Sequence, residues 1–467
     1  MDNSAPERPA PSALALTPLL LFLLLFFGAG LYFTARGEAM GFYQLSAPVA
    51  VLPALALGAC LLWRRGRHPL DTLVEGMGQP NVMLMVLVFL LAGAFASVSR
   101  AIGAVDAVVS LGLGALPAEL ILPALFVIAS FVSLAIGTSM GTIAAVVPVA
   151  VGIGEAAGLD MPLVLGAVIG GAMFGDNLSI ISDTTIAATR SQGARMSDKF
   201  RENLKLAVPA AVATALLLAW VGEVAPVVAP EPAPAWLALP YVLVLGLALA
   251  GLNVVLVLGI GLVVAAVIGA LGPGGYDPVS FAGDIYAGFE SMVEITLLSI
   301  LVGGLAAMTR AAGGLEWISR VIAGLARGGR GPRVGEAGIA ALAAGSDVLT
   351  ANNTVAILVS GELARDIARR HGITPQRAAS VLDVSACIAQ GVLPYGAQIL
   401  LAGSLAGISP LVIVANVWYC WALALVAVVA IAWPRRAIAP PTEQAPLSPG
   451  TEAWPAGAGT RRTATPG

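Results

Sequence analysis

Apolar runs of about the length needed to cross a bilayer, ~20 residues, recur along almost the whole chain. Examples are 14–33, 82–96, 207–224 and 412–433. In lipid such runs must satisfy their backbone hydrogen bonds internally, so they are predicted to be helices. Only 11% of residues are charged and 58% are hydrophobic, against roughly a quarter charged in soluble globular chains. The expected class is an all-α polytopic membrane protein with the lipid bilayer as its surroundings.

The net charge of −3 gives no basic excess that would favour nucleic acid. Cys60, Cys387 and Cys420 lie in or beside apolar runs, as small hydrophobes would, and form neither a disulfide framework nor a CxxC pair. His68 and His371 fall in charged stretches and are expected to be solvated loop residues. The first apolar run is longer than a cleaved signal's h-region and no positive charge dominates before it, so a retained span is expected. Residues 1–13 and the Pro/Ala/Thr-rich stretch 435–467 are expected to be disordered.

An internal repeat with a period of about 212 residues divides the rest. Ser99-Arg100-Ala101-Ile102-Gly103 matches Thr309-Arg310-Ala311-Ala312-Gly313, and Thr142-Ile143-Ala144 matches Thr354-Val355-Ala356. The predicted units are 14–228 and 237–434. Lysines and arginines cluster at 64–67, 190–205, 310–333, 365–377 and 435–436. Placing all of these on the cytoplasmic side requires one segment per half to enter and leave on the same face. The candidates are 120–154 and 336–360, each interrupted by a polar tip. Two inverted-topology repeats with re-entrant hairpins and discontinuous helices follow, with both termini cytoplasmic. Predicted spans are 14–33, 46–63, 81–99 and 206–228 in one half and 237–251, 253–271, 286–308 and 410–434 in the other. Broken helices fall at 162–189 and 376–403. The basic pieces 196–205 and 362–370 are expected to lie at the interface, and Trp63, Trp236 and Trp433 at span ends.

Transporters built this way bind substrate where the helix breaks meet, near the midplane. The first break reads Gly175-Asp176-Asn177-Leu178-Ser179-Ile180-Ile181-Ser182-Asp183-Thr184-Thr185. A charge at that depth costs about 2.5–3.5 kcal/mol on insertion scales, so two carboxylates need a compensating partner. A Na+ ion supplies one, with Asp176, Asn177, Ser179, Ser182, Asp183 and Thr184 as oxygen donors and Asp176 and Asp183 as its anionic ligands. A bound proton is the other option, and cation and proton competing for the same oxygens describe an antiport site. A helix cap, or an ion pair with an arginine of another helix, is the competing role for the aspartates. The second break, Gln390–Gln398, carries amides and a phenol, with Asp383 and Ser385 one to two turns earlier. The hairpin tips offer Thr138, Ser139 and Thr142 in one half and Asn352, Asn353 and Thr354 in the other. Glu294 is a candidate second proton site. No cofactor beyond the transported ions is expected.

The Gly175–Thr185 segment resembles the G-D-H-x-S-P-I-S-D-T-T signature of the NhaC-type Na+/H+ antiporter family, with Asn177 in place of the usual histidine and Ile180 in place of proline. Leu393-Pro394-Tyr395-Gly396 is similar to that family's I-P-W-N. The resemblance implies a membrane-embedded secondary exchanger, usually of Na+ for H+ and in some members of malate and lactate; the alternative reading is an exchanger of small carboxylates or amino acids coupled to Na+ or H+. A homodimer is a candidate assembly. An intramembrane enzyme is disfavoured, since no H-E-x-x-H occurs and no histidine lies in an apolar run. ATP-driven transport lacks its G-x-x-x-x-G-K-[ST] loop.

Overall fold

The computed structural model describes residues 9–36, 44–115, 117–221, 234–272, 275–327 and 331–433, and among them the regular structure is helical throughout. The first half comprises α1 (Thr17–Ala35), α2 (Ala47–Trp63), α3 (Pro69–Met77), α4 (Pro80–Ala101), α5 (Ala104–Ala115), α6 (Ile121–Ile136), α7 (Ser139–Ala156), α8 (Met161–Leu178), α9 (Asp183–Gln192) and α10 (Met196–Val221). The second comprises α11 (Leu239–Leu249), α12 (Val254–Leu271), α13 (Pro278–Ser291), α14 (Val293–Ala311), α15 (Gly314–Arg327), α16 (Pro332–Thr350), α17 (Asn353–Arg370), α18 (Pro375–Val392), α19 (Ala397–Ala406), α20 (Pro410–Asn416) and α21 (Trp418–Ala432). Among the described residues eight helical units are long and apolar enough to span a membrane, and nine if α20 and α21, bent by 53°, count as one. Proline opens many of the helices, as at Pro69, Pro80, Pro278, Pro332 and Pro375, where its missing N–H leaves no bond unmade.

Each helix of the first half has a counterpart of the same order in the second, and packing between halves comes in reciprocal pairs. α3 lies on α14 as α13 lies on α4, and α2 on α14 as α12 on α4. α7 packs against α19 as α17 does against α9, and α10 against α18 as α21 against α8. Such exchange is the contact pattern that two related halves would produce. Glycines mark the closest crossings on both sides. A Cβ on Gly93 of α4 would stand 2.4 Å from the Gly288 carbonyl oxygen of α13, and one on Gly76 of α3 would stand 2.9 Å from the Gly304 Cα of α14. Small residues at a crossing let helix backbones approach in lipid.

Several expectations are corrected. Residues 196–205 form the first turns of α10, and 362–370 is the end of α17. The expected span 286–308 is interrupted at Met292, and 237–251 holds a 3-10 turn and the short α11. The N-terminal residues are not loose throughout: Ser12 N–H donates to Gly313 O at 3.0 Å and Arg65 to Ser12 Oγ at 2.6 Å. His371 is buried, with Nδ1 3.0 Å from Gly331 O. Cys60 is exposed, whereas Cys387 and Cys420 are buried. Trp63, Trp236 and Trp433 are all exposed near helix ends. Residues 1–8, the end of the expected span 206–228 from 222 onwards, and 434–467 lie outside the described residues.

Candidate functional site

The site lies where two hairpins and two broken helices meet. In the hairpin α6–α7 the chain turns at Gly137, φ 78°, a left-handed conformation in which glycine carries no Cβ penalty. A Cβ there would also stand 2.8 Å from Ile181 in the first break. In α16–α17 the corresponding residue is Ala351, φ 49°, the only non-glycine with positive φ among the described residues. The breaks match as well. Ser179 and Ser182 bracket one with extended backbone, and Leu393 and Gly396 bracket the other. The N-termini of α7, α9, α17 and α19 all reach the same cavity of about 260 Å³.

Asp176, two residues before the end of α8, is 4% exposed and hydrogen-bonded by side chains from two elements. Ser139 Oγ donates to its Oδ2 at 2.8 Å and Ser182 Oγ to its Oδ1 at 2.5 Å. Thr184 Oγ1 stands 2.9 Å from Ser182 Oγ. From the other half, Gln390 Nε2 donates to Gln398 Oε1 at 2.7 Å, and Gln398 Nε2 donates to Ser139 Oγ at 3.2 Å. One chain of hydrogen bonds thus runs from Gln390 through Gln398 and Ser139 to Asp176. No arginine or lysine pairs with Asp176 among the described residues. Its charge is met by hydroxyls, whose lone pairs can turn to a small cation.

Asp183 opens α9 and is exposed at the cavity wall, unlike buried Asp176. Thr138, Ser139, Ser182, Thr184, Asn352, Asn353 and Thr354 line the cavity too. Asn352 is also the cap of α17, accepting from Val355 N–H at 2.9 Å. Asn353 donates to Cys387 Sγ.

The remaining expected ligands have other partners. Thr142 Oγ1 is bonded to Thr138 O at 3.0 Å and Ser179 Oγ to Leu134 O at 3.0 Å, so both tie backbone together. Asn177 donates to the Tyr419 hydroxyl at 3.3 Å. Asp383 lies outside the cavity and forms an ion pair with Lys199 Nζ at 2.7 Å, while Ser385 is buried away from it. Glu294 is exposed and lines a separate cavity of about 60 Å³.

Lys199 is the functional residue the sequence reading passed over. Its ammonium group also donates to Thr185 Oγ1 at 2.6 Å and to Asn177 O at 3.3 Å, and Asn203 donates to Asn177 O at 2.7 Å and to Asp383 Oδ2 at 2.8 Å. The pair therefore holds the carbonyl end of α8 and the start of α9 in place. The signal was the spacing Lys199, Asn203, Leu206, Ala210, Thr214, which puts Lys199 on the buried stripe of α10. Gln390, Gln398, Asn81 and Asn253 also line the cavity.

Residues 67–223 match the Na+/H+ antiporter family, a stretch that contains α6 to α9 entire. The malate-2H+/Na+-lactate antiporter of Bacillus subtilis is 36% identical over 152 residues, 32% of this chain and 32% of that protein. The Na+/H+ antiporter NhaC of Alkalihalophilus pseudofirmus is 30% identical over 184 residues, 37% of this chain and 39% of that protein. The matches span between about a third and two-fifths of these relatives. In the matched part the chain is similar to NhaC-type Na+/H+ antiporters, as its signature segment implied. The Alcanivorax borkumensis YdaH transporter aligns over 90% of this chain and 98% of its own, at 14% identity and a TM-score of 0.39, too distant a likeness to carry weight.

Proposed function

We propose that this chain is a secondary transporter exchanging Na+ for H+ across the cytoplasmic membrane by alternating access. The observation that carries the reading is Asp176: a buried carboxyl group facing a polar cavity, held by hydroxyls and, among the described residues, by no fixed cation. In one state its oxygens, with Ser139, Ser182 and Thr184, hold Na+; in the other Asp176 holds a proton. Asp183 draws cations to the mouth. Asn352, Asn353 and Thr354 are assigned to the opposing wall. The membrane-spanning units are 14–228 and 237–434, and the reciprocal helix exchange supports their inversion. Arg65 binding both Ser12 and the Ala312 carbonyl groups the N-terminus with two basic loops, which supports placing all three in the cytoplasm. No cofactor is invoked, and a homodimer is compatible with this reading.

A second reading, exchange of a small carboxylate coupled to Na+ or H+, is favoured by one observation. Arg310 lines a cavity of about 30 Å³ whose wall shares Asn81, Met85, Ala351, Asn352 and Ala397 with the larger one. A guanidinium beside amides suits a carboxylate. ΔpH dequenching in proteoliposomes, with Na+, Li+, K+, malate and lactate added in turn, separates the two. Dequenching by Na+ alone supports cation exchange, whereas a requirement for malate or lactate overturns it.

A further inference from the structure

The second hairpin buries a carboxyl group that the cation cavity does not use. Asp347, three residues before the end of α16, is 0% exposed, and neither of its carboxyl oxygens has a hydrogen-bond partner among the described residues. The neighbouring Ser346 Oγ has none either. Asp347 lines neither the large cavity nor the small one beside Arg310. The matching place in the first hairpin, three residues before the end of α6, is Ser133, whose hydroxyl donates to Ala172 O at 2.6 Å. A serine there needs only a carbonyl to bond. A carboxylate needs donors or a counter-charge.

The helices packed on α16 bring charge nearby without pairing it to Asp347. α18 carries Arg377, Asp383 and Cys387, which are engaged by Glu336, Lys199 and Asn353. α14 carries Arg310, which faces the small cavity. α15 carries Glu316 and Arg320, α21 carries Tyr419 and Cys420, and the charged residues of α17 begin only at Glu362. Tyr395 comes close, but its hydroxyl donates to the carbonyl of Val348 at 2.7 Å. An ionised carboxylate without donor or counter-ion in a dry interior is so costly that the group takes a proton instead. Asp347 is tied through its backbone to the hairpin tip. The Asp347 carbonyl accepts the N–H of Ala351 at 2.7 Å, and Ala351 is both strained and part of the cavity wall.

We propose that Asp347 is a second proton-binding site of this transporter, neutral in the conformation described and deprotonated when the α16–α17 tip opens to water. Its place in coupling rests on the exchange reading above, but its protonation does not, so two measurements are paired. The first is infrared spectroscopy of the purified full-length protein and of Asp347→Asn. Expected at neutral pH is a C=O band of a protonated carboxylic acid that shifts in D2O, disappears in the variant and is lost from wild type as pH rises. Finding no such band, or one that persists unchanged to high pH, overturns the proposal. The second is the number of protons moved per Na+, read from the reversal potential in proteoliposomes. It falls by one in Asp347→Asn, or in Asp347→Ser should the asparagine variant fail to fold, and an unchanged ratio overturns the coupling role. If wild type moves no protons with Na+, the exchange reading fails and the infrared titration alone decides whether Asp347 is a titrating proton site.

Discussion

Lys199 and Asp383 meet at 2.7 Å with side chains 1% and 0% exposed, on helices from opposite halves of the chain. Their pairing bridges the two halves of the chain and holds the end of α8 through the Asn177 carbonyl. Removing one member of a buried pair leaves an uncompensated charge and costs about 3–5 kcal/mol. Lys199→Met and Asp383→Leu are each expected to lower the yield of monodisperse protein sharply. The double variant should recover most of it, by size-exclusion chromatography. A double variant no better than the single ones would count against the pair as the cause.

Asp176→Asn keeps the shape of the side chain and removes the titrating charge. It is expected to abolish Na+-driven proton movement while leaving expression near wild type. In the wild type, half-saturating Na+ should rise about tenfold per pH unit below the pKa of the site, as one-for-one competition requires. A half-saturation constant that stays flat with pH would rule the shared-ligand mechanism out.

Asp183 stands exposed at the mouth and not in the hydrogen-bonded network. Asp183→Asn is therefore expected to raise half-saturating Na+ several-fold and to retain turnover at high Na+. The defect should shrink as ionic strength rises, because a steering charge is screened over about 10 Å at 0.1 M salt. Complete loss of exchange at saturating Na+ would place Asp183 among the direct ligands.

Ser139 and Gln398 bond across the halves, so Ser139→Ala and Gln398→Leu should not act independently. Effects of residues sharing one hydrogen-bond network depart from additivity by about 0.5–3 kcal/mol. Half-saturation constants for the two single variants and the double one supply the cycle. Additive effects would show that Gln398 does not reach the site.

Gly93 and Gly288 face each other at a backbone crossing with no space for a methyl group. Gly288→Ala would put its Cβ 2.5 Å from the Gly93 carbonyl oxygen, and overpacking of this kind costs about 1–3 kcal/mol. A lowered unfolding temperature is expected, with half-saturating Na+ unchanged in the protein that remains folded.

The frame of the fold was legible because lipid leaves the backbone few options, and hairpins and breaks announce themselves as polar interruptions in apolar runs. Asp176, Ser139, Ser182 and Thr184, which line one cavity, stood out as polar interruptions for the same reason. The partner of Asp383 was not legible, because it sits on α10, 184 residues earlier in the chain. Lys199 was masked by its neighbours Asp198, Arg201 and Glu202, which suggested a wet surface. Only the 4-3-4-4 spacing through Thr214 reveals the buried stripe. The depth of Glu294 was counted along an unbroken span, whereas the chain breaks at Met292 two residues before it. Ala351 left no trace, since nothing in its residue type favours a left-handed turn.

Asp176 and Gln390 hold corresponding places, each two residues before the end of α8 or α18, yet one ionises and the other cannot. The scaffold is doubled but its electrical content is single. A second carboxylate at position 390 would have invited a divalent ion or a pair of monovalent ones. With an amide there, one positive charge on Asp176 neutralises the two corresponding helix ends. The charge that remains in the cavity wall is that of Asp183, on one side only.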